Sequence, residues 1–184
     1  MKKPLTFLSF LLVTIGALAQ GQVNFAARVA GVYDAPVFID CRLLSKAEGP
    51  GYMVQLYAGT TQFNLAPVGK ALPLLTGADA GYWNAEVTTI NTVDATGNAY
   101  VQVRGWATAP TFEAALLSGY PFGGSALITV KPTTAPDLPA TLVGLTGFGI
   151  LTPPIGGNSS CVPEPSIVLL AVLGSVPFLL RRRS

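Results

Sequence analysis

The chain has 184 residues, 11 basic and 9 acidic side chains, a net charge of +2 and no histidine. Without histidine there is no Ser-His-Asp or Cys-His nucleophilic site and no histidine-based zinc site. No CxxC pair, P-loop or dinucleotide fingerprint is present either, so the common nucleotide-dependent and metal-dependent chemistries have no sequence basis.

The first residues read as an export signal. Lys2 and Lys3 form a positive start, Leu5 to Leu18 an apolar run, and Ala17-Leu18-Ala19 a small-x-small cleavage site, so signal peptidase is expected to cut after Ala19. The alternative is an N-terminal membrane anchor. From Gln20 to Pro165 the chain carries six basic against nine acidic side chains, a net charge of −3. The positive balance of the whole therefore belongs to its two ends, and no basic patch offers itself to nucleic acid.

Residues 20–151 are enough for one domain with a real core. They read as all-β, because β-branched and alternating runs recur between Gly, Pro, Asn and Asp. The expected strands are 22–29, 37–43, 52–58, 83–90, 100–107, 125–131 and 141–151. Turns are expected at 48–51, 76–81 and 94–98, where glycine permits positive φ and Asp or Asn bonds the local backbone. Thr111 to Ser118, between Pro110 and Gly119, reads as a short helix. Alternation puts Val54, Leu56, Ala85, Val87, Val101 and Val103 inward. Seven strands with a turn every dozen or so residues predict an antiparallel β-sandwich, Ig-like or jelly-roll-like. Residues 152–161 read as a linker.

Candidate chemistry is sparse. Glu48, Glu86 and Glu113 are the carboxylates from which a hydrolase pair would have to come, but none stands in a motif, and an enzyme is not expected. Phe122 to Ser125 reads as a Gly-rich loop rather than a phosphate cradle. Asp94 to Asn98 reads as a turn rather than a calcium loop. No metal site or cofactor is expected. Asn158-Ser159-Ser160 fits a glycosylation acceptor by coincidence. Cys41 and Cys161 are expected to form a disulfide in an oxidising compartment, the alternative being two separate thiols. One strand face, Tyr100, Gln102, Arg104 and Trp106, alternates aromatic rings with planar hydrogen-bonding groups. Left open, it would suit extracellular polysaccharide. Covered, its aromatics would instead pack on the sheet or on residues 111–118.

The last 23 residues organise the rest. Val162-Pro163-Glu164-Pro165 is followed by an uncharged run, Ser166 to Leu180, and then by Arg181-Arg182-Arg183. As a helix the run would be about 22 Å long, short for a bilayer core of about 30 Å. Thinning of the bilayer or the flanking residues make up such a difference. The arginines would stay on the cytoplasmic side. Prolines keep Val162–Pro165 extended and accessible to a processing enzyme. A buried terminal helix and a plain tail anchor are the alternatives.

This order of motif, apolar run and arginines resembles the PEP-CTERM sorting signal of Gram-negative bacteria. Gln22-Val23-Asn24-Phe25, Val54 to Gly59, Gly81-Tyr82-Trp83 and Val101 to Trp106 are similar in texture to uncharacterised PEP-CTERM proteins of the Verrucomicrobia type. The resemblance implies an exosortase-type sorting enzyme as partner and an inner-membrane anchor, transient or stable, with the domain on the periplasmic side. It further implies delivery to the cell surface or extracellular matrix. The expected function is that of a structural or adhesive surface protein. The alternatives are a polysaccharide-binding module and a carboxylate-based hydrolase.

Overall fold

A computed structural model describes residues 20–40, 42–94 and 97–152. Its strands in chain order are β1 (Gln20–Phe25), β2 (Arg28–Val29), β3 (Tyr33–Asp34), β4 (Val37–Phe38), β5 (Tyr52–Gly59), β6 (Ala66–Pro73), β7 (Glu86–Asp94), β8 (Ala99–Ala107), β9 (Phe122–Gly124), β10 (Ile128–Val130), β11 (Ala140–Thr141) and β12 (Phe148–Gly149). One α-helix, α1 (Phe112–Ser118), interrupts them, so the described residues are all-β as expected. The signal residues with Ala17 and Ala19, the cysteines Cys41 and Cys161, and the tail with Val162 to Pro165, the 166–180 run and Arg181 to Arg183 lie outside the described residues. So does all of the expected linker except Thr152.

The central element is the antiparallel ladder of β5 and β8, from Tyr52 opposite Ala107 to Gly59 opposite Tyr100. Strand β6 continues this sheet beyond β5, and β9 and β10 pair with β8. A second sheet has the order β11-β1-β7. Val54, Leu56, Val101 and Val103 from the first sheet and Val23, Phe25 and Ile90 from the second share one apolar core. Each such side chain contributes about 1.5–3 kcal/mol when fully removed from water. Trp83 closes one end. Its ring lies 5.0 Å from that of Phe25, and its indole nitrogen donates to the Phe25 carbonyl at 3.3 Å.

Several expectations are corrected. Strand β6 was not expected, because Pro67, Gly69 and Pro73 break its pattern. It survives at a sheet edge, where prolines cost no ladder bond. A bulge between Val54 and Leu56 falls opposite Gly69 (φ +65°), whose carbonyl accepts from Gln55 Nε2 at 2.9 Å. Strand β7 begins at Glu86 rather than at Trp83, and its phase is reversed. Thr88 and Ile90 face the core, whereas Ala85 is exposed and Val87 is 53 % exposed. Pairing Val23 with Thr88 sets that phase, and a shift of one residue inverts a strand.

The 22–29 run breaks at Ala26-Ala27 into β1 and β2. The 37–43 run ends at Phe38, because the Asp40 carboxylate accepts from the Leu44 and Ser45 amides and turns the chain. The 141–151 run is cut by Gly144 (φ +91°) into β11 and β12. Residues 122–124, expected as loop, are β9. Two pairings, β1 with β11 and β4 with β12, are parallel, so the sheets are not purely antiparallel. The short helix is where it was expected. The Thr111 side chain caps the Ala114 amide at 3.1 Å, and Gly119 ends the helix at φ +69°.

The last described segment is clamped on both sides. Ile150 N donates to Phe38 O, and Leu151 exchanges both backbone bonds with Phe122. A methyl at Gly123 would run into the Gly149 carbonyl, and one at Gly105 would lie 2.8 Å from Ile150 Cδ1. Glycine at position 123 is thus a requirement of close backbone approach. Gly123→Ala is expected to cost about 1–3 kcal/mol in urea denaturation, because neither backbone can move aside cheaply. Gly51→Ala, where nothing lies within 4 Å, is expected to change stability by no more than about 0.5 kcal/mol.

Candidate functional site

The face expected to meet saccharide lies on β8, and the structure buries its Trp106 end under α1. Val101 and Val103 point into the core as expected, and Gln102 and Arg104 lie on the opposite face, half-buried. Trp106 is 1 % exposed. Its indole nitrogen donates to the Ala109 carbonyl at 2.9 Å, and its ring meets Phe112 of α1 edge-on at 6.5 Å. Phe112 also contacts Tyr57 and Phe122 edge-on, at 5.9 and 5.7 Å. Helix α1 therefore takes the place a sugar ring would need, and Trp106 is not available for stacking. Tyr100, half-buried, sits at the other end of the β5–β8 ladder, opposite Gly59.

What α1 covers is a closed polar-aromatic cluster. The Arg104 guanidinium lies over the rings of Tyr57 at 4.2 Å and Phe112 at 5.0 Å. Cation–aromatic contacts of a half-buried guanidinium contribute about 1 kcal/mol. Arg104 Nε donates to Gln102 Oε1 at 2.9 Å, and Gln102 Nε2 donates to the Ser125 carbonyl at 3.0 Å. The Tyr57 hydroxyl donates to Glu113 Oε1 at 2.7 Å. Burial pushes the Tyr57 phenol far above its ordinary range, and the neighbouring Glu113 carboxylate adds to the shift while Arg104 opposes it. Tyr57 thus remains a neutral donor that fixes α1 to β5.

A second cluster was not legible from the sequence. Tyr82 lies between two cations, with Arg28 Cζ 4.6 Å and Lys46 Nζ 4.5 Å from its ring centre. Its hydroxyl donates to Asp34 Oδ2 at 3.3 Å and accepts from Lys46 Nζ at 3.4 Å. Arg28 also bridges to Asp79 at 2.9 Å across the surface. Beside this cluster runs a cleft of about 280 Å³ whose lining includes Arg28, Asp79, Tyr82, Trp83 and Asn84. Tyr82 and Trp83 are themselves buried. These residues come from four separate stretches, and no periodicity joins them. The one sequence signal was the Gly81-Tyr82-Trp83 texture.

The three carboxylates lie apart in the network, each with its own partner. Glu48 accepts from the Gly77 amide, Glu86 pairs with Lys70 at 3.1 Å, and Glu113 holds Tyr57. Among the described residues no group of three His, Cys, Asp or Glu side chains is placed to hold a metal. No buried side-chain nitrogen or oxygen among them lacks a partner. No helix among them is long and apolar enough to cross a membrane. No protein-family model, curated protein or solved structure matches the chain.

Two tests follow from the closed cluster. Trp106→Ala is expected to destabilise the domain by about 3–5 kcal/mol, as for other buried tryptophans, measured by urea denaturation. Tyr57→Phe is expected to cost about 0.5–1.5 kcal/mol near neutral pH, because the bond that fixes α1 to β5 is lost while water solvates the exposed Glu113 carboxylate. A raised phenol contributes stability below its unfolded value of 10.0, and that stability falls as pH climbs above it. The wild type is therefore expected to lose stability above about pH 10 more steeply than Tyr57→Phe, as read from melting temperature against pH.

Proposed function

We propose that the protein is an exported β-sandwich, Ig-like or jelly-roll-like, that reaches the cell surface or extracellular matrix through a C-terminal sorting signal and serves there as a structural or adhesive element. The observation that carries this reading is the order Val162-Pro163-Glu164-Pro165, apolar run, Arg181-Arg182-Arg183, opposite an N-terminal signal with its Ala17-Leu18-Ala19 site. Signal peptidase removes the first segment. The second holds the chain in the inner membrane until an exosortase-type enzyme acts at Val162–Pro165. Two sheets sharing one core support the sandwich reading.

A structural or adhesive role also accords with the clusters. Tyr57 bonds Glu113, and Arg104 bonds Gln102 while lying over the Tyr57 ring. The burial of Trp106 withdraws the stacking ring that polysaccharide binding would need there, and the separate partners of Glu48, Glu86 and Glu113 give the hydrolase reading no assembled pair.

Intact mass of the unreduced protein from its own host tests the route. The expected mass begins at Gln20, ends near Pro165, and is lighter by the hydrogens of one Cys41–Cys161 disulfide. A mature species still carrying Arg181 to Ser184 would show that the tail is an ordinary anchor and overturn the sorting step.

A further inference from the structure

The described chain leaves the domain at one pole of the β5–β8 ladder. Leu151 is bonded to Phe122, and Phe122 pairs with Trp106, one residue from the Tyr52–Ala107 end of that ladder. Two elements flank this exit. On one side β4 pairs with β12 and leads into residues 39–44, where a methyl on Gly149 would lie 3.0 Å from the Asp40 carbonyl. On the other side β9 follows directly from the end of α1, with Tyr120 two residues before Phe122.

Both flanks carry large apolar side chains in the open. Leu44 is 76 % and Leu117 87 % exposed, and Ile39, Leu43, Leu116 and Tyr120 are between 43 and 51 % exposed. These six are half of the twelve large exposed hydrophobics among the described residues, and they belong to the two segments that flank the exit. Scattered exposed apolar residues are ordinary, but a concentration around one point marks an interaction surface. Arg42 stands exposed among them, with no ion pair among the described residues. Loop 39–44 is held in shape by Asp40. Its bonds to the Leu44 and Ser45 amides keep that carboxyl below its usual range, and Leu43 adopts φ +56°.

We propose that this pole is a lipid-facing surface, with Leu43, Leu44, Leu116, Leu117 and Tyr120 resting in the bilayer interface and Arg42 meeting anionic headgroups. The proposal rests on the reading that residues 166–180 enter the bilayer. The length of chain between Thr152 and that run selects lipid as the occupant. The thirteen residues 153–165 reach at most about 45 Å when fully extended, so a bilayer entered at Ser166 stays within that distance of Thr152. Tethering at that range raises the effective concentration of the surface, and a contact too weak to recruit a free protein becomes populated. Tyrosine and leucine beside arginine is the composition of an interfacial contact. Phe63, in the β5–β6 loop and 89 % exposed, lies at the opposite pole, about 25 Å away along eight strand residues.

The test uses the full chain in vesicles of phosphatidylcholine and phosphatidylglycerol, with brominated lipid as quencher. Leu44→Trp, Leu117→Trp and Phe63→Trp each add an exposed reporter to the buried Trp83 and Trp106. The expected result is that the chain floats with the vesicles, that reporters at 44 and 117 lose emission to brominated lipid, and that the reporter at 63 does not. Flotation without quenching at 44 and 117 overturns the lipid-facing pole and leaves the anchor standing. No flotation overturns both. Reporters that shift with protein density but are not quenched show a second copy on this surface, and also overturn the proposal. Hydrogen exchange on the unmodified chain guards against misfolded variants. Amides 39–44 and 116–120 are expected to exchange more slowly in vesicles than in detergent, and equal rates count against the proposal.

Discussion

The antiparallel ladder of β5 and β8 is the constraint on which the rest of the structure depends. Its eight pairs put Val54, Leu56, Val101 and Val103 on one face and Tyr57, Gln102 and Arg104 towards the other. The first face builds the core with the β11-β1-β7 sheet. The second receives α1 through the Tyr57–Glu113 bond and the rings around Phe112. Edge strands attach on either side, and the final segment closes over Gly105. A change in register between β5 and β8 would therefore displace core, helix and chain exit together.

The polar groups of this protein hold parts in place more than they offer a reactive surface. Arg104 lies between two rings and bonds Gln102, Tyr82 lies between two cations, and Asp40 bonds two amides of its own loop. Each is a long-range or loop-shaping contact that lets a chain rich in glycine and proline keep defined connections. Loops of this kind lose much backbone entropy on ordering, and specific bonds offset part of that loss.

The glycines around the last segment join fold and route. Gly123 lets the backbone of residues 149–150 approach β9 closely, and backbone bonds to β4 and β9 hold Ile150 and Leu151 from both sides. The described chain therefore ends at a point fixed on both sides.

Much of the all-β character was legible in the sequence, because β5, β8 and α1 announce themselves locally. Strands β5 and β8 have clean period-two alternation, and α1 has Thr111 and Gly119 at its two ends. Export and sorting were likewise readable as expectations, since such signals are linear and are recognised before folding. What pairing decides was not legible. Val87 faces outward because Val23 chose Thr88 as its partner, and β6 persists despite two prolines because it lies at an edge. Trp106 is buried because α1 folds back over β8, although its alternation alone left it free to face solvent. The Tyr82 cluster draws on residues as far apart as Arg28 and Asp79, and only the tertiary structure could bring them together, since side-chain contact at that range follows from sheet packing and leaves no local pattern.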